Sequence, residues 1–227
     1  AVFYSTNTSV VLAGSSALTP YGAVSGSGTI VKEGANTYLS LGIAGVAPTA
    51  NNTFTGGIIV QGGTLQAVAR GPIGGGIIAT GTAYSALGNN NAVLTNGAQL
   101  SVLVDSGSAE TGKTFTLPNN LLLAGNGAVA VNRNLSGGGS SNNIAFNKLT
   151  LGSSTLTLTT SNTYTAQFNS VQLIGVATFN PANGVNPTLL NVTDSGAGLP
   201  VIKNGGGYLL FSGSQSLSGG TWINSDG

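Results

Sequence analysis

Apolar and polar residues alternate over short stretches of this chain, and such alternation indicates half-buried β-strands. Clear examples are residues 98–104, 149–151 and 155–159, each bounded by Gly or Asn. Asn-Gly pairs at 96–97, 126–127, 183–184 and 204–205 offer turn positions with positive φ. The pattern therefore predicts an all-β protein built from short strands and tight turns.

The composition removes most kinds of catalytic chemistry. The chain has 227 residues, of which 6 are Lys or Arg and 5 are Asp or Glu, and it contains no His, Cys or Met. Without imidazole or thiolate groups we expect no disulfide, no zinc, haem or iron–sulfur site, and no cofactor. A net charge of +1 predicts no attraction to nucleic acid or to an anionic membrane surface.

The chain lacks the sequence features of a membrane-inserted or targeting segment. No continuously apolar stretch approaches the roughly 18 residues that a membrane helix needs, so we expect no membrane insertion by this segment. The chain opens with Ala rather than Met and shows no basic region followed by an apolar stretch, which predicts a processed or excised segment. Hydrophobic residues make up 41% of the chain, enough for a packed core.

Two parts of the chain repeat one order of elements. Residues 30–34, 38–41 and 54–61 have counterparts at 201–205, 208–211 and 217–224. The repeated positions include a lysine, a glycine two residues later and a Gly-Gly pair: Lys32, Gly34, Gly56 and Gly57 in the first copy, and Lys203, Gly205, Gly219 and Gly220 in the second. We predict one β-helical domain over 1–227 with related units at about 24–104 and 199–227.

The first copy resembles the autotransporter-associated β-strand repeat of bacterial passenger regions. The resemblance rests on a lysine in a Gly-rich lead, an Asn-Thr-aromatic-Thr-Gly-Gly core that includes Asn52, Thr53 and Phe54, and a closing Gly63-Thr64-Leu65. The second copy has Ser216-Leu217-Ser218 in place of that core, and residues 105–198 match in composition alone. The resemblance implies a right-handed parallel β-helix in an extracellular or cell-surface bacterial protein.

The scarcity of charge fits the same architecture. Rungs of a parallel solenoid stack about 4.8 Å apart, so equal charges on successive rungs would repel, whereas Thr, Asn and Val can stack. A β-sandwich is the alternative, because short strands and Asn-Gly turns occur there too.

Two patterns that could carry chemistry lack their structural context. Residues 107–114 read Gly-x-x-x-x-Gly-Lys-Thr, but a phosphate loop must open a helix, and Pro118, Asn119 and Asn120 follow closely. The five acids, Glu33, Asp105, Glu110, Asp194 and Asp226, include no pair one rung apart at an assumed spacing of roughly 20–25 residues per rung, and we expect them in solvated turns. No calcium-binding Gly-Gly-x-Gly-x-Asp run occurs. These observations favour a protein that is not an enzyme.

The function predicted from the sequence is structural. We expect a rigid extracellular rod whose ends, at Ala1, Val2, Phe3 and Tyr4 and at Trp222 and Ile223, join copies of the chain head to tail into a filament or surface layer. An adhesin passenger that binds a host or matrix ligand is one alternative, and a carbohydrate-active enzyme is another.

Overall fold

A computed structural model of the chain describes residues 10–12, 24–41, 52–70, 87–95, 97–105, 111–134, 139–219 and 222–224. Nineteen strands lie in these residues: β1 (Val10–Leu12), β2 (Ile30–Lys32), β3 (Tyr38–Leu41), β4 (Ile58–Val60), β5 (Thr64–Arg70), β6 (Ala92–Leu94), β7 (Ala98–Asp105), β8 (Thr114–Leu123), β9 (Gly127–Arg133), β10 (Asn143–Leu151), β11 (Thr155–Thr160), β12 (Thr165–Phe168), β13 (Val171–Leu173), β14 (Ala177–Pro181), β15 (Thr188–Leu190), β16 (Val192–Thr193), β17 (Val201–Lys203), β18 (Leu210–Ser212) and β19 (Trp222–Asn224). This part of the chain has no helix long and apolar enough to span a membrane.

The strands form two sheets in which every pair is parallel. One sheet runs β1-β2-β4-β6-β8-β10-β12-β15-β18, with β13 paired to β10 and β16 paired to β13. The other sheet runs β19-β17-β14-β11-β9-β7-β5-β3. The chain moves from one sheet to the other and back, and it pairs each strand with the strand one turn earlier. The predicted parallel β-helix is therefore confirmed, and the antiparallel β-sandwich is not what the chain forms.

The length of chain in each rung varies more than the sequence analysis assumed. The amide of Gly198 donates to Ser218 Oγ on the adjacent rung, 20 residues away. The hydroxyl of Thr95 instead donates to the carbonyl oxygen of Val60, also one rung away but 35 residues distant along the chain. The assumed spacing is therefore wrong for several rungs. The stacked strands keep their register while the connections between them take up different lengths of chain.

Inward-facing side chains form continuous apolar columns. One column contains residues that are 0–5% exposed: Ile30, Ile58, Ala92, Leu121, Leu149, Val171 and Val192. Phe146 and Phe168 stack in another column with ring centroids 5.3 Å apart. Full burial of such a side chain contributes roughly 1.5–3 kcal/mol. The core therefore runs along the rod and joins successive rungs.

The predicted strands and most of the predicted turns are confirmed. The three alternating stretches lie in β7, β10 and β11, and Gly97, Gly184 and Gly205 have φ of 76°, 77° and 78°. Gly127 is the exception, because it begins β9 and is not among the glycines with positive φ. A Cβ at Gly127 would lie 3.0 Å from Leu123 Cδ1, so close packing rather than turn geometry favours glycine there.

Candidate functional site

The Gly-Gly pairs let successive rungs approach more closely than side chains would permit. A Cβ on Gly56 would lie 2.3 Å from the carbonyl carbon of Gly28, one rung earlier. In the second copy, a Cβ on Gly219 would lie 2.2 Å from the carbonyl oxygen of Gly198. Both glycines therefore lie against the backbone of the preceding rung, as expected if they occupy equivalent positions in the repeat. Gly57 has a φ of 86°, and Gly220 lies outside the described residues.

Lys32 closes the turn that follows its own strand. Its side chain is 1% exposed, and its ammonium donates to the carbonyl oxygens of Glu33 (2.6 Å), Gly34 (3.1 Å) and Gly62 (3.0 Å) and to the Thr37 hydroxyl. Burial lowers the pKa of Lys32 from its ordinary value. The ammonium therefore ties one turn to the turn of the next rung through backbone oxygens.

The second repeat uses its lysine in a similar way. Lys203 Nζ donates to the carbonyl oxygen of Gly205 at 2.6 Å, with the same two-residue offset as between Lys32 and Gly34. Gly34 and Gly205 both have positive φ, 87° and 78°. The repeated lysine and glycine therefore belong to the same type of turn, which follows a strand and which we call a corner.

The remaining motif positions of the first copy surround that corner and the core beside it. Gly63, with φ of 65°, lies where a Cβ would be 2.4 Å from the Thr37 carbonyl oxygen, and Leu65 is fully buried. The carbonyl oxygen of Thr37 also accepts a hydrogen bond from the amide of Thr64 at 3.0 Å. This Gly-Thr-Leu segment therefore covers the preceding turn and then enters the core.

The Asn-Thr-aromatic core alternates between the interior and solvent. Asn52 Oδ1 accepts the amide of Val24 at 2.8 Å, and Phe54 is 1% exposed, whereas Thr53 is exposed. A Cβ added to Gly88 would lie 2.7 Å from the ring of Phe54. Asn52 therefore satisfies a backbone amide of the preceding rung, and Phe54 fills the core.

The two predicted repeat units lie in opposite sheets. In the first copy, β2 and β4 belong to the eleven-stranded sheet and β3 to the eight-stranded sheet. In the second copy, β17 and β19 belong to the eight-stranded sheet and β18 to the eleven-stranded sheet. The second copy is thus displaced by half a turn, which the spacing of the motifs along the sequence did not indicate.

Asp194 was expected in a solvated turn, and that expectation is wrong. The residue is 1% exposed, and its carboxylate accepts the amides of Gly196 (3.0 Å), Leu199 (3.1 Å) and Ser218 (3.0 Å) and the Ser218 hydroxyl (2.9 Å). Burial alone would raise the pKa of Asp194, but the hydrogen bonds from Ser218, Gly196 and Leu199 lower it to about 2. Asp194 therefore holds its own turn to the next rung, where Ser218 lies 24 residues later.

Of the four remaining acids the structure describes two, Glu33 and Asp105, which follow or end strands of different sheets. Asp105 is the last residue of β7, paired with Arg70 of β5, so its backbone lies in a strand rather than in the expected turn. Glu33 follows β2, several rungs from Asp194. Glu110 and Asp226 lie outside the described residues. Within the described ranges, no three acids come together as a metal site would require.

The phosphate-loop pattern does not adopt the geometry that nucleotide binding needs. Lys113 directly precedes β8, so a strand begins at Thr114 where a phosphate loop would need a helix. The amide of Lys113 donates to Asn142 Oδ1 at 2.8 Å and is therefore engaged with the neighbouring rung. Residues 107–110 of the pattern lie outside the described part of the chain.

The last described rung leaves part of the core uncovered, and we call this region the C-terminal end face. It comprises the edge strands β18 and β19 and the partly buried Leu199, Leu209, Phe211 and Leu217. Tyr208 and Leu210 beside them are 70% and 49% exposed. In the chain as described, no strand pairs with the outer side of β18 or β19. An added strand could therefore extend either sheet.

The predicted assembly ends are described only in part. Ala1, Val2, Phe3 and Tyr4 lie outside the described residues. Trp222 and Ile223 form β19, which pairs with β17 through Val201 and Ile202, while the side chains of Trp222 and Ile223 are outside the described part of the structure. Within the described residues, β19 is the last strand of its sheet.

Comparison with known proteins identifies the repeat. The passenger-associated-transport-repeat family matches the chain at residues 49–67, 151–167 and 201–227. No curated protein and no solved structure matches the chain significantly. The middle match falls where the sequence analysis found a likeness of composition alone. Its signal is Asn162-Thr163-Tyr164-Thr165, which repeats the order of Asn52-Thr53-Phe54-Thr55, and Tyr164 is as buried as Phe54. Three stretches of the chain therefore match the passenger-associated-transport repeat, in agreement with the autotransporter passenger repeat that the sequence predicted.

Proposed function

We propose that this chain is a non-enzymatic, structural part of an extracellular or cell-surface bacterial protein, in which a rigid β-helical rod joins to further copies end to end. The observation that carries the proposal is the apolar column that continues from Ile30 to Val192 through successive parallel strands. Such a column makes neighbouring rungs stabilise one another, as in other solenoids.

The chemistry of the described side chains supports a role without catalysis. The buried Lys32 donates to backbone carbonyl oxygens, and the buried Asp194 accepts from backbone amides and a serine. Both groups are thus engaged in holding turns together. The whole chain has no His and no Cys to act as base or nucleophile.

An extracellular location is supported by the repeat family and by the composition. Passenger-associated-transport repeats match the chain at three stretches. The low number of basic residues, 6 of 227, leaves trypsin-like proteases few positions at which to cut. Lys32, one of these positions, is buried, and such burial suits a protein exposed to proteases outside the cell.

End-to-end assembly is supported by the C-terminal end face. Core residues of inner rungs such as Leu149 and Leu189 are fully buried, whereas Leu209, Phe211 and Leu217 are partly exposed. An incoming rung from a second copy would pair with β18 and β19 and cover these side chains. A contact that joins opposite ends of a rod places each copy in line with the last, so the series does not close into a ring and produces a filament.

The test uses the purified chain and two matched substitutions in one sheet. Leu210→Lys places a charge on the outer face of the edge strand β18, whereas Leu190→Lys places one on the inner strand β15. Electron microscopy and sedimentation should show filaments for the parent and for Leu190→Lys, and a higher critical concentration for Leu210→Lys, because edge charges oppose strand addition.

Deletion of residues 1–12 supplies the complementary test. It removes β1, which pairs with β2 at the opposite edge of the eleven-stranded sheet. The shortened chain should remain a folded monomer and form no filaments. Filaments that persist in both the deletion and Leu210→Lys, or a parent that stays monomeric at all concentrations, would contradict end-to-end assembly. Turnover of a polysaccharide by the parent would contradict the non-enzymatic role.

A further inference from the structure

We infer that Asn183 is a site of spontaneous deamidation, selected by the fold from among the three Asn-Gly pairs that the structure describes in full. An Asn followed by Gly is chemically labile because the backbone nitrogen of the glycine, unshielded by a side chain, can attack the Asn carboxamide. The described residues contain three complete pairs of this kind, Asn126-Gly127, Asn183-Gly184 and Asn204-Gly205. Their surroundings differ sharply.

Asn183 and Gly184 occupy the tip of an open turn. The amide of Val185 donates to the carbonyl oxygen of Ala182 at 2.9 Å, which places Asn183 and Gly184 at the two central positions, and Gly184 has φ of 77°. Both residues are exposed, and a Cβ added to Gly184 would have no atom within 4 Å apart from those of the glycine and its two chain neighbours. On the solvent side of this turn, the dihedral angles of Asn183 and Gly184 can therefore adjust toward the geometry that the attack requires, while the peptide bond between them stays planar.

The other two pairs are held by neighbouring rungs. Asn126 Oδ1 accepts the amide of Thr155 at 2.8 Å, and Gly127 is the first residue of β9, paired with strands on both sides. A Cβ on Gly205 would lie 2.4 Å from the carbonyl oxygen of Pro181, and the carbonyl oxygen of Gly205 accepts Lys203 Nζ. Rotation at either of these pairs would break contacts between rungs.

The reaction needs water and no other reactant. The nitrogen of Gly184 loses its proton to solvent and forms a bond to Cγ of Asn183, the bond from Cγ to the amide nitrogen breaks, and ammonia leaves with the proton. The product is a five-membered succinimide. Water opens the ring at one of its two carbonyl carbons and leaves aspartate or isoaspartate at position 183. The chain gains one negative charge and one mass unit.

The position of Asn183 gives this change a structural consequence. The glycine run of the C-terminal repeat lies directly over the turn, because a Cβ on Gly207 would be 2.1 Å from the carbonyl oxygen of Val185 and a Cβ on Gly206 would be 3.3 Å from Asn183 Cβ. Isoaspartate lengthens the main chain by one carbon at the centre of this contact. We therefore expect the isoaspartate form to loosen the rung that contains β17 and β18.

The experiment follows deamidation of the purified chain at mildly alkaline pH, in the folded state and in concentrated urea. Complete tryptic digestion after unfolding separates the three pairs, because cleavage at Lys113, Arg133, Lys148 and Lys203 puts Asn126, Asn183 and Asn204 on different fragments. Mass spectrometry should show several-fold faster conversion at Asn183 than at the other two positions in the folded protein, and comparable rates at all three in urea.

Two variants separate the modification from its consequence. Asn183→Gln, whose longer side chain forms the ring far less readily, should stop the mass change on this fragment and keep the folded protein resistant to limited trypsin cleavage at Lys203 after long incubation. Asn126→Gln should leave both the mass change and the progressive loss of resistance intact. Folded-state conversion at Asn183 that is no faster than at Asn126 or Asn204 would overturn the inference, whatever the outcome of the assembly experiments.

Discussion

The close approach of rungs at Gly56 predicts a large effect of a single methyl group. In Gly56→Ala the new Cβ would lie 2.3 Å from the carbonyl carbon of Gly28 and 2.4 Å from its oxygen. Carbon atoms prefer about 3.5–4.0 Å, so the two backbones must separate by about 1 Å or more. Neither partner is a flexible side chain that could turn away.

The magnitude follows from the contacts on either side. The amide of Thr55 donates to the Gly26 carbonyl oxygen at 2.8 Å, and the amide of Ile30 donates to the Gly57 carbonyl oxygen at 3.1 Å. Overpacking costs about 1–3 kcal/mol, and weakening two backbone hydrogen bonds adds about 1 kcal/mol each. We therefore expect the free energy of unfolding to fall by about 3 kcal/mol.

Gly152→Ala provides the matched control. A Cβ at Gly152 would meet Ile174 Cγ1 at 3.7 Å, an ordinary contact, and its φ is not in the left-handed region. This variant should be unchanged or stabilised by about 0.4–1 kcal/mol, because alanine restricts the unfolded chain. Urea unfolding gives the stabilities, and hydrogen exchange at the Thr55 and Ile30 amides shows where rungs separate. Equal stability of Gly56→Ala and Gly152→Ala would refute the assigned close approach.

Three further predictions concern charged groups. Because the pKa of Asp194 is lowered to about 2 from 3.8, its contribution to stability should be complete above about pH 4 and disappear as the pH falls toward 2. Thermal unfolding should therefore show that Asp194→Asn loses less stability on acidification than the parent. Lys32→Met removes the ammonium donor from three carbonyl oxygens, and that of Gly62 is left without a donor while those of Glu33 and Gly34 keep the Thr37 hydroxyl. The variant should cost about 1–3 kcal/mol in urea unfolding, more than Lys203→Met at its partly exposed corner, and equal costs would contradict this assignment. Lys113→Ala should change stability by less than about 0.5 kcal/mol, and saturable ATP binding lost in this variant would contradict the absence of a phosphate loop.

The sequence predicted the features that depend on neighbouring residues. Alternation at residues 155–159 gave β11 because inward and outward positions differ by one residue in a strand. The sequence also marked Lys32 and Gly34 as repeated positions, since a lysine followed two residues later by glycine occurs in both repeats, and the structure places both pairs at a corner. Local pattern and local geometry agree at these positions.

Features that depend on contacts between rungs were predicted less well. The stretch around Asp194 reads Asp-Ser-Gly-Ala-Gly, the composition of a solvated turn. Two of the four donors to its carboxylate come from Ser218, which is 24 residues away. No local pattern identifies such a partner, because hydrogen bonds between adjacent rungs join residues that are from 20 to 35 residues apart.

The displacement of the second repeat by half a turn shows which part of the structure the repeat specifies. β2 and β17 lie in different sheets, yet Lys32 and Lys203 close their corners with the same offset. Gly56 and Gly219 also both face backbone one rung away. Strands of either sheet need only alternation, which many sequences provide, whereas a corner needs a donor for its carbonyl oxygens and a glycine at a fixed position. The repeat therefore specifies corners, and the same motif can follow a strand of either sheet.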